Sequence, residues 1–177
     1  TQPVSVVICA KNEEKNLRNL IPLLMDQDHP EFEVVVVNDN SWDGTEDTLK
    51  AFQVEFPKLH CIHLNEDKQR MQGKKFALTL GIKGAQHDLL LLTDTDCSPL
   101  SNQWITEMTK GIQNETKISI GFSPYKKQKG LLNALIRYDA FQAGLNYMSF
   151  AKAKLPYMGV GRNLAYRKEL FFEAGGF

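Results

Sequence analysis

The chain is 177 residues long, the length of one ordinary domain or the greater part of one. Its 42% hydrophobic and 24% charged residues, with only seven prolines, exclude the disordered, collagen-like and disulfide-stapled classes. Twenty-one basic residues balance twenty-one acidic ones, so no global field advertises nucleic acid or an anionic membrane, and an anionic ligand has to be held by local groups.

Residues 4–10 (VSVVICA) form a β-branched run of the kind that makes a strand buried on both faces. The polar cluster Lys11-Asn12-Glu13-Glu14 ends it and predicts a helix capped by Asn12, with Leu17, Leu20, Ile21, Leu24 and Met25 on its buried side. Pro22 inside that pattern predicts a kink or a late restart. Residues 32–37 (FEVVVV) read as a second buried strand, closed by Asn38-Asp39-Asn40-Ser41 and Asp43-Gly44, and 46–56 as a helix. A third strand is predicted at 60–64, followed by a charged connection over 66–75 and a helix over 76–85. The strand at 88–93 has an LLLL core and runs straight into Asp94-Thr95-Asp96. A helix at 103–112, a strand at 118–122 and a longer helix at 131–148 follow; Leu132, Leu135, Ile136, Tyr138 and Phe141 are the buried candidates of that last helix. The tail is less regular. Strands alternating with helices imply βαβ units, a mostly parallel sheet and helices on both faces.

In such a sheet, ligands bind outside the carboxyl ends of the strands. Three polar clusters stand there: residues 10–13, 38–43 and 94–96. Asn40, Ser41 and Asp43 are better explained as turn formers and helix caps. Asp94 and Asp96 are harder to explain that way, because two carboxylates two residues apart repel unless a cation or hydrogen-bond donors come between them. A hard divalent cation such as Mg²⁺ or Mn²⁺ answers this, and it brings a phosphorylated ligand with it.

Other chemistries lack their patterns. Gly73-Lys74-Lys75 has neither the upstream glycine nor the following Ser or Thr of a P-loop, and Gly159-Val160-Gly161 meets Leu164 where a dinucleotide fingerprint needs its third glycine. HExxH, GxSxG and a catalytic Cys with a partner His are absent. His29, His60, His63 and His87 do not have metal-site spacing, and Cys9, Cys61 and Cys97 read as reduced thiols without structural zinc. Apolar runs such as Val34 to Val37 and Leu89 to Leu92 fall far short of the roughly 20 residues of a membrane helix. A start at Thr1 without methionine and an end on Gly175-Gly176-Phe177 lead to the expectation of an excised piece.

Five segments taken together, VSVVICAKNEEKNL, VVVVNDNSWDGT, GKKFALTLGIKGA, LLLLTDTD and GVGRNLAYRKELFFEAGGF, closely resemble a family 2 glycosyltransferase with the GT-A fold. The resemblance covers nearly the whole chain, Val4 to Phe177. It implies a nucleotide-diphosphate sugar donor, with uridine as the expected nucleoside, and a Mn²⁺ or Mg²⁺ cofactor. By the same resemblance Ala10, Asn12 and Glu13 line the nucleotide pocket and Asp39 bonds the base. Asp94 faces ribose and sugar, Thr95 lies between the two carboxylates in the donor site, and Asp96 ligates the metal. Lys74 sits near the donor or is simply a solvated lysine at a helix start. Arg162 and Asn163 fall in the segment that begins the acceptor site.

Two departures stand out. Members of the family often carry two acidic residues and a glycine after the second strand, whereas Asn38-Asp39-Asn40-Ser41 keeps only the middle carboxylate. The acidic segment that supplies the family's catalytic base is expected after Phe177, so no catalytic residue is assigned within the chain. The resemblance implies inverting transfer to a saccharide or lipid-linked acceptor, with this domain carrying mainly the donor half. It also implies a place at the cytoplasmic face of a membrane, reached only through segments outside this chain. The alternatives are a nucleotide-sugar-binding module without catalysis, or a haloacid-dehalogenase-like phosphatase using Asp94 as nucleophile and Asp96 as acid and base.

Overall fold

A computed structural model of the protein describes residues 2–64, 73–113 and 116–176. Most of the connection predicted over 66–75 therefore lies outside the described residues. Six strands form one sheet: β1 (Val4–Ala10), β2 (Phe32–Asp39), β3 (Leu59–Leu64), β4 (Leu89–Leu92), β5 (Ile118–Ile120) and β6 (Leu164–Arg167), in the order β3-β2-β1-β4-β6-β5. The pairs β1–β2, β2–β3 and β1–β4 are parallel, and β6 is antiparallel to both neighbours. Five strands thus run one way and β6 alone runs back, which makes the sheet mostly parallel, as expected.

Strand side chains alternate between faces, and the two faces sort into separate cores. Val4, Val6, Ile8, Val34, Val36, Leu89 and Leu91 pack under α1 (Glu14–Met25), α2 (Thr45–Glu55) and α4 (Trp104–Thr109), through Leu17, Leu20, Leu24, Leu49 and Ile105. Val7, Val35, Leu90 and Leu92 face the other way, toward Ile82 of α3 (Lys74–Gly84) and Phe171 of α6 (Lys168–Glu173). Both faces being apolar explains why these strands read as unbroken hydrophobic runs. Each fully buried Val or Leu is worth about 1.5–3 kcal/mol of apolar transfer.

α3 seats unusually close to the sheet. A Cβ at Gly81 would come within 2.7 Å of Val7 Cγ1 and 3.0 Å of Val37 Cγ2, so the absence of a side chain is what allows this approach. At the opposite end of β1 and β2, buried Glu33 accepts hydrogen bonds from the Ser5 hydroxyl and the Gln86 N–H, both at 2.5 Å.

Several expectations are corrected. Asn12 is not the cap of α1, since the helix begins at Glu14 behind Glu13 and Asn12 adopts φ 57°. α1 runs through Pro22 as one helix; the proline has no N–H to give the Arg18 carbonyl, and the helix ends within a turn of it. α4 stops at Thr109 and β5 at Ile120, both shorter than predicted. The irregular tail contains β6 and α6, elements of only four and six residues, too short for periodicity to announce. The largest correction concerns α5 (Leu131–Lys152), where Leu132, Leu135, Ile136, Tyr138 and Phe141 are all exposed. Only Gly144 and Tyr147 of that helix are buried. Gly144 gives room to the Phe122 ring, and the Tyr147 hydroxyl donates to the Gly121 carbonyl at 3.2 Å.

Candidate functional site

The register of the sheet brings the polar clusters to one rim. Ala10 at the end of β1 lies beside Asn38 near the end of β2, and Val7 beside Leu92, the last residue of β4. Because β6 runs backward, Leu164 at its start pairs with Leu92 at the end of β4. The segment before β6, including the 3-10 turn Gly161–Asn163, therefore stands at the same edge as Asp94, Thr95 and Asp96.

The loops after β1 and β2 are zipped together. The Asn12 N–H donates to Ser41 Oγ at 2.9 Å, and Asn12 Oδ1 accepts the Trp42 N–H at 2.9 Å. The Glu13 N–H donates to Thr45 Oγ1 at 2.9 Å, and the Glu13 carboxylate accepts from Asn16 Nδ2 at 2.6 Å. Asp43 serves two helix starts, with Oδ2 accepting the Glu14 N–H and Oδ1 the Thr45 N–H. Asn12 and Asn40 both take left-handed backbone, at φ 57° and 51°, which asparagine tolerates better than most residues. Ser41 and Asp43 thus act as turn and cap residues, and their bonds hold Asn12 and Glu13 in place. Ala10 is buried in the core below them. Asp39 closes β2 as a buried carboxylate, and Asn38 beside it accepts the Ser41 N–H and bonds His63 Nδ1 at 3.3 Å.

Beyond β4, the Thr93 N–H donates to the Val7 carbonyl and the Cys97 N–H to the Asp94 carbonyl, curling the chain into a turn. Thr95 is buried in that turn, whereas Asp96 is exposed and accepts only a long contact, 3.7 Å, from Cys97 Sγ. The cation that the two carboxylates call for is supplied to Asp94 by the protein itself: Lys74 Nζ donates to Asp94 Oδ1 at 2.7 Å. Partial burial works to lower the Lys74 pKa, but the hydrogen bond and charge of Asp94, with Cys9 and Asp96 nearby, outweigh it and raise it above the usual lysine value. Burial pushes the Cys9 thiol up to about 12 despite the Lys74 ammonium, so Cys9 stays protonated beside the site. All three cysteines are free.

A divalent cation fits this donor set in kind. Hard cations take oxygen ligands, and Mg²⁺ in particular uses one or two carboxylates and completes its shell with water and phosphate. Among the described residues no group of three or more His, Cys, Asp or Glu side chains could hold a metal unaided, which leaves a carboxylate pair that needs ligand oxygens to finish the shell.

The two residues resembling the start of an acceptor site differ in what they do. Asn163 is buried, and its amide bridges the Trp104 indole N–H at 3.0 Å and the Phe122 carbonyl. Arg162 donates to the Ser123 carbonyl and lies 5.1 Å over the Tyr125 ring. Sequence reasoning passes over Trp42, which stands 84% exposed on the rim directly after the Asn12–Ser41 contact. A tryptophan inside an otherwise polar loop is the signal that could have found it.

Comparison with known proteins agrees with this architecture. A family model described as Glycosyl transferase family 2 matches residues 5–173. The chain is 31% identical over 140 residues to the glycosyltransferase AglE of Haloferax volcanii, covering 78% of this chain and 44% of that protein. It is 28% identical to the probable glycosyltransferase YdaM of Bacillus subtilis, covering 98% of this chain and 42% of the relative. Among solved structures, mannosyltransferase PcManGT from Pyrobaculum calidifontis, in complex with GDP-Man and Mn²⁺, superposes with a TM-score of 0.75 at 23% identity over 99% of this chain and 47% of its own. TarS 1-349 of S. aureus in complex with UDP-GlcNAc gives 0.67 at 19% identity, over 98% of this chain and 47% of that one. The matched parts thus span less than half the length of each of these relatives.

Proposed function

This chain belongs to glycosyl transferase family 2, and on that premise we propose that it carries the donor half of an inverting, metal-dependent transferase using a UDP-sugar. The observation that carries this reading is the rim itself. A buried carboxylate at the end of β2, Asp39, is joined there by the Lys74–Asp94 pair and the open carboxylate of Asp96.

Asp39 accepts from the N–H edge of the base. Asn12 and Glu13, held by the loop-to-loop bonds, border the nucleoside over the buried Ala10 floor. Asp94 faces ribose and sugar, Thr95 fixes the turn, and Asp96 with Asp94 holds Mn²⁺ or Mg²⁺. Lys74 adds a positive charge where a diphosphate would lie. When bound, the cation neutralises charge on a departing diphosphate. The protein's own contribution is a fixed geometry and fixed charges that need no reorganisation during transfer. Arg162 faces the acceptor side, with Asn163 holding its turn against Trp104.

We assign the acceptor's general base, and recognition of a saccharide or lipid-linked acceptor, to polypeptide outside these 177 residues, because the match takes in less than half of each relative. PcManGT, with GDP-Man and Mn²⁺, supports metal use, and TarS, with UDP-GlcNAc, supports a uridine donor. The phosphatase alternative finds no support in a family match that runs through both carboxylates.

The test is titration of UDP and of GDP into the chain in the presence of Mn²⁺. Tighter binding of UDP is the expected result. Preference for GDP would overturn the base assignment, and binding of neither nucleotide would overturn the donor-site reading.

A further inference from the structure

His63 is the next-to-last residue of β3 and lies in register beside Asn38 of β2. Its Nδ1 is 3.3 Å from Asn38 Nδ2, while Asn38 Oδ1 accepts the Ser41 N–H at 3.2 Å. Ser41 Oγ in turn accepts the Asn12 N–H, and Asn12 Oδ1 the Trp42 N–H. One chain of hydrogen bonds therefore runs from a half-buried imidazole to the loop that carries Asn12. Asn38 is only 3% exposed, so water does not readily replace a partner that it loses.

The polarity of this chain is fixed from one end. A backbone N–H only donates, so the amide atom that meets Ser41 has to be the oxygen, and the amide nitrogen has to meet His63. Asn38 Nδ2 also only donates, so Nδ1 of His63 has to be bare and the neutral ring carries its hydrogen on Nε2. A proton on Nδ1 sets two donors against each other. Turning the Asn38 amide over does not help, because the clash then falls on the Ser41 N–H. A carboxylate at position 38 would behave oppositely, accepting from Ser41 and from a protonated imidazole at once. From α2, Glu46 faces His63: Lys50 is the main cause of a Glu46 pKa below the usual carboxylate value, and a charge on His63 adds to it. Lys50 Nζ lies 2.6 Å from Glu46 Oε1, and Asp47 acts on the same ammonium. Asp39 belongs to the opposite face, since it pairs with Leu64, which packs with Val37 and with Ala77 of α3.

We propose that His63 is a positioning residue for nucleotide binding: as a neutral imidazole it holds the Asn12 loop in shape through Asn38 and Ser41, and on protonation it releases that hold. Histidine is the side chain whose ordinary titration falls between about pH 5 and 8, so the hold is present at the upper end of that range and is lost as pH falls. The effect on nucleotide rests on the reading of Asn12 as part of the donor site, whereas the coupling of His63 to the loop stands on geometry alone.

Nuclear magnetic resonance and calorimetry on the parent chain, Asn38→Asp and His63→Gln test it. As pH is lowered from about 8 to about 5, the Ser41 and Asn12 N–H signals of the parent should shift along the titration curve of the His63 ring. In His63→Gln, which takes no proton, that shift should vanish, and in Asn38→Asp the Ser41 bond should persist in acid. UDP affinity in the presence of Mn²⁺ should fall between about pH 7.5 and 5.5 by roughly fivefold more in the parent than in either variant, as for loss of one hydrogen bond. The titration of UDP itself is common to all three and cancels in the comparison. His63 is half-buried on the edge strand β3, so His63→Gln keeps the fold and carries the test if Asn38→Asp does not fold. Ser41 and Asn12 signals indifferent to the His63 ring, or the same pH dependence of UDP affinity in the parent and in a folded His63→Gln, would overturn the proposal. A chain that binds no UDP at either pH would overturn the donor-site reading, and the spectra then decide whether His63 holds the loop.

Discussion

Lys74 Nζ and Asp94 Oδ1 lie 2.7 Å apart, joining the first residue of α3 to the turn after β4 across twenty residues of sequence. The ammonium offsets the charge of Asp94 and leaves the exposed Asp96 free for a ligand or a cation. The pair is largely open to solvent, so its value to folding is small, and its consequence is where it sets charge.

Lys74→Met should therefore change unfolding free energy by less than about 1 kcal/mol while weakening nucleotide diphosphate binding by roughly tenfold, as for loss of one charge-assisted bond. Chemical denaturation and calorimetry read the two separately. The folded-state pKa of Lys74 is raised, so its stabilising contribution is fully present below the unfolded lysine value and fades as pH rises through the folded one.

Asp43→Ala removes one acceptor from the start of α1 and another from the start of α2. The expected cost is about 1–2 kcal/mol, seen as an earlier urea midpoint. Burial tends to raise the Asp43 pKa, but bonds from Thr45 and Glu14 win and hold it below the usual carboxylate value. Its contribution is present above the unfolded aspartate pKa and is lost as pH falls through the folded one, so the parent and the variant should converge in stability in acid.

Gly81→Ala drives a Cβ into Val7 and Val37, both stiff β-branched side chains that cannot swing aside. About 1–3 kcal/mol of destabilisation is expected despite alanine's better helix propensity. Thermal unfolding checks the sign, since a gain in stability would mean that α3 is less tightly seated than described.

Asn163→Ala leaves the Trp104 indole N–H and the Phe122 carbonyl without their partner. The loss should be about 1–3 kcal/mol, accompanied by a shift in Trp104 emission and little change in UDP affinity. A loss of UDP affinity without a loss of stability would make Asn163 a donor contact.

Much of the sheet is legible in the sequence because β1, β2 and β4 are buried on both faces and must be unbroken apolar runs. The rule that ligands gather at strand ends singles out the clusters that hold Asp39, Asp94 and Asp96, and the sheet register brings those clusters to one rim. It cannot find what Asn12 does, because its bonds go to Ser41 and Trp42, about thirty residues away and fixed only by strand register. Nor can helical periodicity find the exposure of Leu132 and Leu135: it tells which residues share a face, not whether anything covers that face. Asn163 is legible as part of GVGRN, but its bond to Trp104 needs the fold.

The central claim is a metal-assisted donor site at Asp96, and calorimetric titration of UDP with and without Mn²⁺, on the parent chain and on Asp96→Ala, tests it most directly. The account predicts Mn²⁺-dependent binding in the parent that falls by roughly tenfold or more in the variant, as for loss of a charged metal ligand. Equal UDP affinity in the parent and a folded Asp96→Ala, or affinity indifferent to Mn²⁺, would contradict it.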